Sequence, residues 1–162
     1  MPNLTPKGEV VGKTAFRQVH VFPGATGAYQ AADCVGAALT FTDIVRAKSA
    51  GAVLLNVTVA DRDDQKAALD IVFMYTDIPS SDAPDNAAFA IVDSDLDNVL
   101  AVVGISTGDY DDLGGSSVAT VKAPIVIASN GSSRSVYAHV IARGTPTYTT
   151  DGLTIGLGIS ED

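Results

Sequence analysis

The chain has 162 residues, 46% hydrophobic and 18% charged, with 10 lysines and arginines against 19 aspartates and glutamates for a formal net charge of −9. That length suits one domain and that composition excludes a disordered chain, while a negative surface repels phosphate backbones, so nucleic acid is not an expected partner. A single cysteine, Cys34, excludes an intrachain disulfide and a cysteine-built zinc cage, and no apolar run is long enough to cross a bilayer, so no membrane partner is expected.

Residues 1–13 contain Pro2, Pro6, Gly8 and Gly12 and no steady periodicity, which predicts an extended N-terminal arm ahead of one domain over residues 14–162. No apolar signal-peptide core precedes that domain, so synthesis in the cytoplasm is expected. Ala15, Arg17, Val19 and Val21 alternate with Phe16, Gln18, His20 and Phe22, the period of a strand, which stops at Pro23-Gly24. After a loop over Gly24 to Ala32, Cys34 to Phe41 and Ile44 to Arg46 are short β-prone pieces.

Gly51 to Asp77 reads as the organising stretch. Val53, Leu55, Val57 and Val59 form one file of a first run, and Leu69, Ile71, Phe73 and Tyr75 one file of a second. This predicts a hairpin-like pair, with the other strands covering its apolar face. Its connection, Asp61, Arg62, Asp63, Asp64, Gln65 and Lys66, carries too much charge to be buried. Ile78 to Phe89, dense in Pro, Asp and Ser, is a long loop. Asp93 to Val99 reads as one short helical turn with Ser94 as its N-cap and Asp95 and Asp97 near the positive end of its dipole.

Leu100 to Ser106 follows as a strand, then an acidic loop from Thr107 to Gly115. Val118 to Ala128 is β-prone but contains Pro124, which calls for an edge, a bulge or a break. Asn130-Gly131 is a turn leading into a strand over Ser135 to Arg143. In the last strand Leu153, Ile155, Leu157 and Ile159 alternate with Thr154, Gly156, Gly158 and Ser160, and the glycines leave room for a neighbouring backbone or another subunit. About eight strands at regular spacing, with almost no helix, predict an all-β antiparallel sandwich of jelly-roll type.

The residues yield no catalytic or cofactor site. Gly104-Ile-Ser-Thr-Gly108 matches a hydrolase nucleophile elbow, and Asp109 and His139 follow in the order that fold uses. The elbow, however, requires a strand turning into a helix on a mostly parallel sheet, and neither is predicted. Asp93, Asp95, Asp97 and Asn98 resemble the front of a calcium loop that lacks its sixth-position glycine and twelfth-position glutamate. Asp109, Asp111 and Asp112 form a looser acidic cluster. The two histidines, His20 and His139, have no second ligand nearby in sequence, so structural roles are expected of both. Asn3-Leu-Thr5, Asn56-Val-Thr58 and Asn130-Gly-Ser132 match the glycosylation sequon, which means nothing without a secretory route.

An ordered series of short segments resembles a family of small virion structural proteins of tailed bacteriophages. Tyr29-Gln-Ala-Ala-Asp-Cys-Val-Gly36 is similar to that family's Tyr-x-Ala-Gly-Asp-x-Val-Gly, with Ala32 at the usual glycine. Leu39-Thr-Phe41 follows, then Tyr75-Thr-Asp77, Asp85-Asn-Ala-Ala-Phe89, Asp93-Ser-Asp-Leu96 and Val103-Gly104. Val136 to Gly144, Pro146-Thr-Tyr148 and the closing Leu-Gly-Ile-Ser-Glu-Asp resemble its last two strands.

The resemblance spans about residues 14–162. It implies a non-enzymatic capsid decoration or cement protein on the outer surface of a virion, made in the host cytoplasm and holding neighbouring major capsid protein subunits, often as a homotrimer. Expected contact residues are Leu4, Val10 and Val11 on the arm and Pro79, Pro84 and Phe89 in the long loop. The competing readings are a β-sandwich on a phage tail or head vertex that binds a host glycan or receptor, weakened by the absence of tryptophan, and a serine hydrolase built on Ser106.

Overall fold

The computed structural model describes residues 13–21, 23–24 and 27–161. Leu4, Val10, Val11 and nearly all of the expected arm therefore lie outside the described residues, as does Phe22. Among the described residues nine strands form two antiparallel sheets: β1 (Lys13–Val21), β2 (Leu39–Phe41), β3 (Gly51–Asp61), β4 (Leu69–Met74), β5 (Val99–Ile105), β6 (Tyr110–Asp112), β7 (Ser117–Ala128), β8 (Val136–Ala142) and β9 (Leu153–Glu161). One sheet has the order β1-β9-β3-β7-β6 and the other β2-β8-β4-β5. With β6 set aside as an addition to the edge, the pairs β1 with β9, β2 with β8, β3 with β7 and β4 with β5 are nested. A double-stranded ribbon rolled into two facing sheets is the jelly-roll arrangement that the strand count and spacing predicted.

The inner faces carry the alternating apolar residues. Leu54, Val57 and Val59 of β3 and Ile155, Leu157 and Ile159 of β9 meet Leu69, Ile71 and Phe73 of β4 and Val136, Ala138 and Val140 of β8 in one buried cluster. This corrects the expected hairpin. The runs either side of Asp61 to Lys66 lie in different sheets, because their apolar faces bury each other across the core rather than sharing one face of one sheet.

The side-chain file of β3 also changes face midway. Ala52 and Leu54 are buried before Leu55, Val57 and Val59 after it, and the register against both neighbours shifts between Leu54 and Asn56. A one-residue bulge flips every later side chain, so Val53 and Leu55 do not share the core face with Val57. Opposite the bulge, β7 passes Ala123 and Pro124, whose missing N–H would otherwise leave a gap in the ladder.

Two smaller expectations also differ. The helix α1 spans Asp93–Leu96 with Val92 at its N-cap, so Ser94 lies within it and makes no capping bond; the cap is two residues earlier because the chain enters extended from the loop. The space over Gly156 and Gly158 is filled from within the chain: a Cβ on Gly156 would come within 2.4 Å of the Phe16 ring, and one on Gly158 within 2.7 Å of the Asn56 amide.

The corner between β3 and β4 is organised by carboxylates. Asp61, expected in solvent, is only 1% exposed, and its oxygens accept the backbone N–H groups of Asp63 at 3.1 Å and Lys66 at 2.8 Å. Burial raises its pKa against the opposing effect of these bonds. The turn supplies the donors that a solvated loop would take from water. Asp63 reaches the β8–β9 connection, accepting the Thr149 N–H at 2.6 Å and its hydroxyl at 2.9 Å. Gly152 lies so close to that carboxylate that an added Cβ would overlap it. Gly152→Ala should therefore destabilise the protein by about 1–3 kcal/mol in urea unfolding. In the Asp63→Ala background the same change should cost markedly less, a coupling read directly from a double-mutant cycle.

Candidate functional site: a cleft under the long loop

The four-stranded sheet is apolar on its outer face as well as its inner one. Val72 and Met74 of β4 and Ile141 of β8 point outward yet are buried. They are covered by the chain's own long loop: with Cys34, Ile78 and Ala83 they form a second apolar cluster, against which Phe89, Ile91, Val99 and Tyr137 pack. Edge hydrogen bonds hold the loop there. Ala32 and Val35 donate to Ala142 and Val140 of β8, and the far side of this segment pairs with the loop through Cys34 N–H to Ala87 (2.9 Å), Asn86 N–H to Cys34 (2.9 Å) and Phe89 N–H to Ala32 (2.9 Å).

Asp85 fastens the same junction. Its Oδ1 accepts the Tyr29 hydroxyl at 2.8 Å and the Gly36 N–H at 2.7 Å, while Oδ2 accepts the Gly24 N–H at 2.8 Å. Ala32 sits in this junction at φ +80°, a conformation that costs a residue with a Cβ and that glycine adopts freely. The position where the phage series carries glycine is thus one whose backbone favours it.

Between the loop and the residues before β2 lies a cleft of about 450 Å³. Ala37, Ala38, Ile78 and Pro84 give it apolar walls, Asp77 and Asp85 bring two carboxylates, and His139 of β8 contributes to its lining. His139 is 3% exposed, and its Nε2 has no hydrogen-bond partner. The Phe89 ring packs on it with centroids 5.5 Å apart. Burial lowers the imidazole pKa, and the Asp77 carboxylate opposes that only in part. Of the expected loop contacts, Pro84 lines the cleft, Pro79 is exposed, and Phe89 is half-buried against its own sheet.

The other sequence candidates are not brought together. Ser106 forms a reciprocal cap on the 3-10 turn Thr107–Asp109: its hydroxyl and its N–H both donate to Asp109 Oδ2 at 2.7 Å, which holds that carboxyl below its usual range. His139 lies in register with Val72 of β4 and, through it, Val102 of β5. Strands about 4.8 Å apart and residues about 3.3 Å apart put it roughly 16 Å from Ser106, so the two cannot exchange a proton. His20 Nδ1 lies 3.0 Å from the Thr154 hydroxyl.

Asn98 donates to Asp95 at 3.3 Å, and Asp112 pairs with Lys66 at 2.6 Å. Among the described residues no group of three or more His, Cys, Asp or Glu side chains is placed to hold a metal. Burial, with Asp33 and Asp85 nearby, pushes the Cys34 thiol up to about 12, which makes it a packing group rather than a nucleophile.

No family model matches the chain, and no curated protein matches it. Among solved structures, a chain from Desmodium yellow mottle tymovirus aligns over 99% of this chain and 88% of its own, at 14% identity and a TM-score of 0.28. A superposition that loose carries no argument about function.

The role of Asp85 and the cleft itself escaped the sequence reading, although Asp85-Asn-Ala-Ala-Phe89 had stood out in the phage-like series. Asp85→Ala should cost about 2–4 kcal/mol, because it removes the carboxylate that the Tyr29 hydroxyl and the Gly24 and Gly36 N–H groups share. Limited proteolysis should then cut within residues 78–90, a segment that should resist cleavage in the parent. For His139, a folded pKa below the unfolded value means that the unfolded chain binds the extra proton. The associated stability is complete above about pH 6.5 and is lost as pH falls through the window beneath it. Urea unfolding at pH 7.0 and pH 5.0 should show a drop that His139→Gln reduces.

Proposed function

We propose that the protein is a non-enzymatic structural component of a tailed-bacteriophage virion that decorates the outer capsid surface. In that role it cements the shell by binding neighbouring copies of the major capsid protein as a homotrimer. The observation that carries this reading is where the phage-like segments lie. Tyr29 to Gly36 and Asp85 to Phe89 are 49 to 56 residues apart at their side-chain contacts, yet they are each other's hydrogen-bond partners. The ordered series thus corresponds to one built element of the fold instead of scattered short matches.

The architecture suits such a task. A rolled sandwich offers a rigid body with loops at its ends and few open sheet edges. Binding the assembled lattice but not its free subunits stabilises the lattice by linkage, and three equivalent contacts give a trimer avidity without any single strong one. Leu4, Val10 and Val11 on the arm and Pro79 in the loop are the contacts proposed to reach neighbouring subunits, the arm by strand addition.

Quantitative mass spectrometry of purified source particles should give this protein at close to one copy per major capsid protein. A handful of copies per particle would replace the cement role with a tail or vertex component that binds a host glycan or receptor. Absence from the particle would sink the virion reading.

A further inference from the structure

The cleft beneath the long loop has a composition that names its ligand's chemistry. Its lining contains two carboxylates, Asp77 and Asp85, and no lysine or arginine, within a chain that already carries a net charge of −9. Asp77 is exposed and makes no hydrogen bond or ion pair among the described residues, while Asp85 Oδ2 accepts only the Gly24 N–H. His139, 97% buried by its 3% exposure, lines the same space with its Nε2 unpartnered, a state that buried polar atoms rarely keep. The remaining walls are Ala37, Ala38, Ile78, Ala83 and Pro84, which are aliphatic, with Ser80 the one further polar side chain.

Two carboxylates, a neutral imidazole and apolar walls complement an aliphatic chain ending in a cationic hydrogen-bond donor. They do not suit a bare divalent ion, since no group of three ligating side chains converges among the described residues. An anion would meet two like charges.

We propose that this cleft receives a lysine or arginine side chain from the partner protein, its stem against the aliphatic walls and its cationic head between Asp77 and Asp85 over His139. That the major capsid protein supplies the side chain rests on the virion reading above; the chemistry of the site does not. Asp77 supplies the charge that is not committed to the fold, and Asp85 supplies both structure and field.

The test uses the full chain and its histidine ring signals in solution NMR at pH 7, titrated with n-butylamine and with n-butylguanidine. Tetramethylammonium chloride at matched ionic strength serves as the control, because it carries charge but no N–H. Either probe should shift the His139 signals saturably in the millimolar range. Asp77→Asn should weaken that binding about fivefold, the loss of one charge-assisted contact, while Asp112→Asn on the far sheet leaves it unchanged. A shift that never saturates, that tetramethylammonium reproduces, or that ignores Asp77→Asn would overturn the site.

Co-sedimentation with expanded shells separates the two ideas. Saturable probe binding with no sedimentation of the parent chain would keep the cationic site and remove the capsid as its supplier. If the parent chain sediments, Asp77→Asn should do so more weakly, and equal binding by both would overturn the placement of a capsid side chain in the cleft.

Discussion

A sheet with apolar side chains on both faces cannot leave either in water. In the four-stranded sheet, Leu69, Ile71 and Phe73 face the opposing sheet, while Val72, Met74 and Ile141 face outward. At about 25 cal/mol per Å² of apolar surface, exposing that second face would cost several kcal/mol, so the chain must cover it itself. The long loop from Ile78 to Ile91 does this. Its backbone polar groups, drawn over an apolar surface, then need partners, and the segment from Ala32 to Val35 supplies them along the sheet edge. Asp85 closes the arrangement by taking three donors at once. The cleft is the space left where this cover fails to meet the residues before β2.

Much of the fold was legible because alternation is a local property. β1, β5, β8 and β9 lie within a residue or two of their expected bounds, and the rolled antiparallel sandwich follows from the spacing of strands and turns. What alternation does not encode is which sheet a strand joins. The runs on either side of Asp61 have equally apolar faces whether they pair side by side or stack across a core, and only the other strands decide between the two. The bulge at Leu55 was hidden for a related reason: an apolar residue looks the same in sequence whether it continues a file or interrupts one. Pro124 did signal an irregularity, but the register shift it marks is shared by three strands.

The charged positions were harder still. Six polar residues in a row read as solvent-facing, yet Asp61 is buried because its own turn folds N–H groups around it. Asp85 was singled out only as part of the phage-like series, and its role was missed for the same reason, since a carboxylate that organises backbone donors from distant segments resembles in sequence one that merely sits in water. The glycines of β9 told a partial truth: the space they leave is real, and Phe16 and Asn56 of the adjoining strands occupy it. Ala32 was the more informative residue. Its departure from the phage-like pattern falls at a positive φ, where the fold tolerates alanine at some cost.

The same economy bears on how such a protein would hold a partner. Asp77 is solvent-facing, so an ion pair formed there is screened and is worth little alone, on the order of 1 kcal/mol or less. The buried groups beneath it change that balance in one respect. A cation seated in the cleft displaces water from aliphatic walls that are already in place, and it meets carboxylates whose loop is fixed by edge hydrogen bonds and by Asp85, so little ordering remains to be done on binding. The contact stays weak enough to sample a surface and correct its register, yet directional enough to favour one orientation. On the proposed lattice role, contacts of that strength repeated across equivalent sites would add as avidity, and the stability of the assembly would come from their number while each remains reversible.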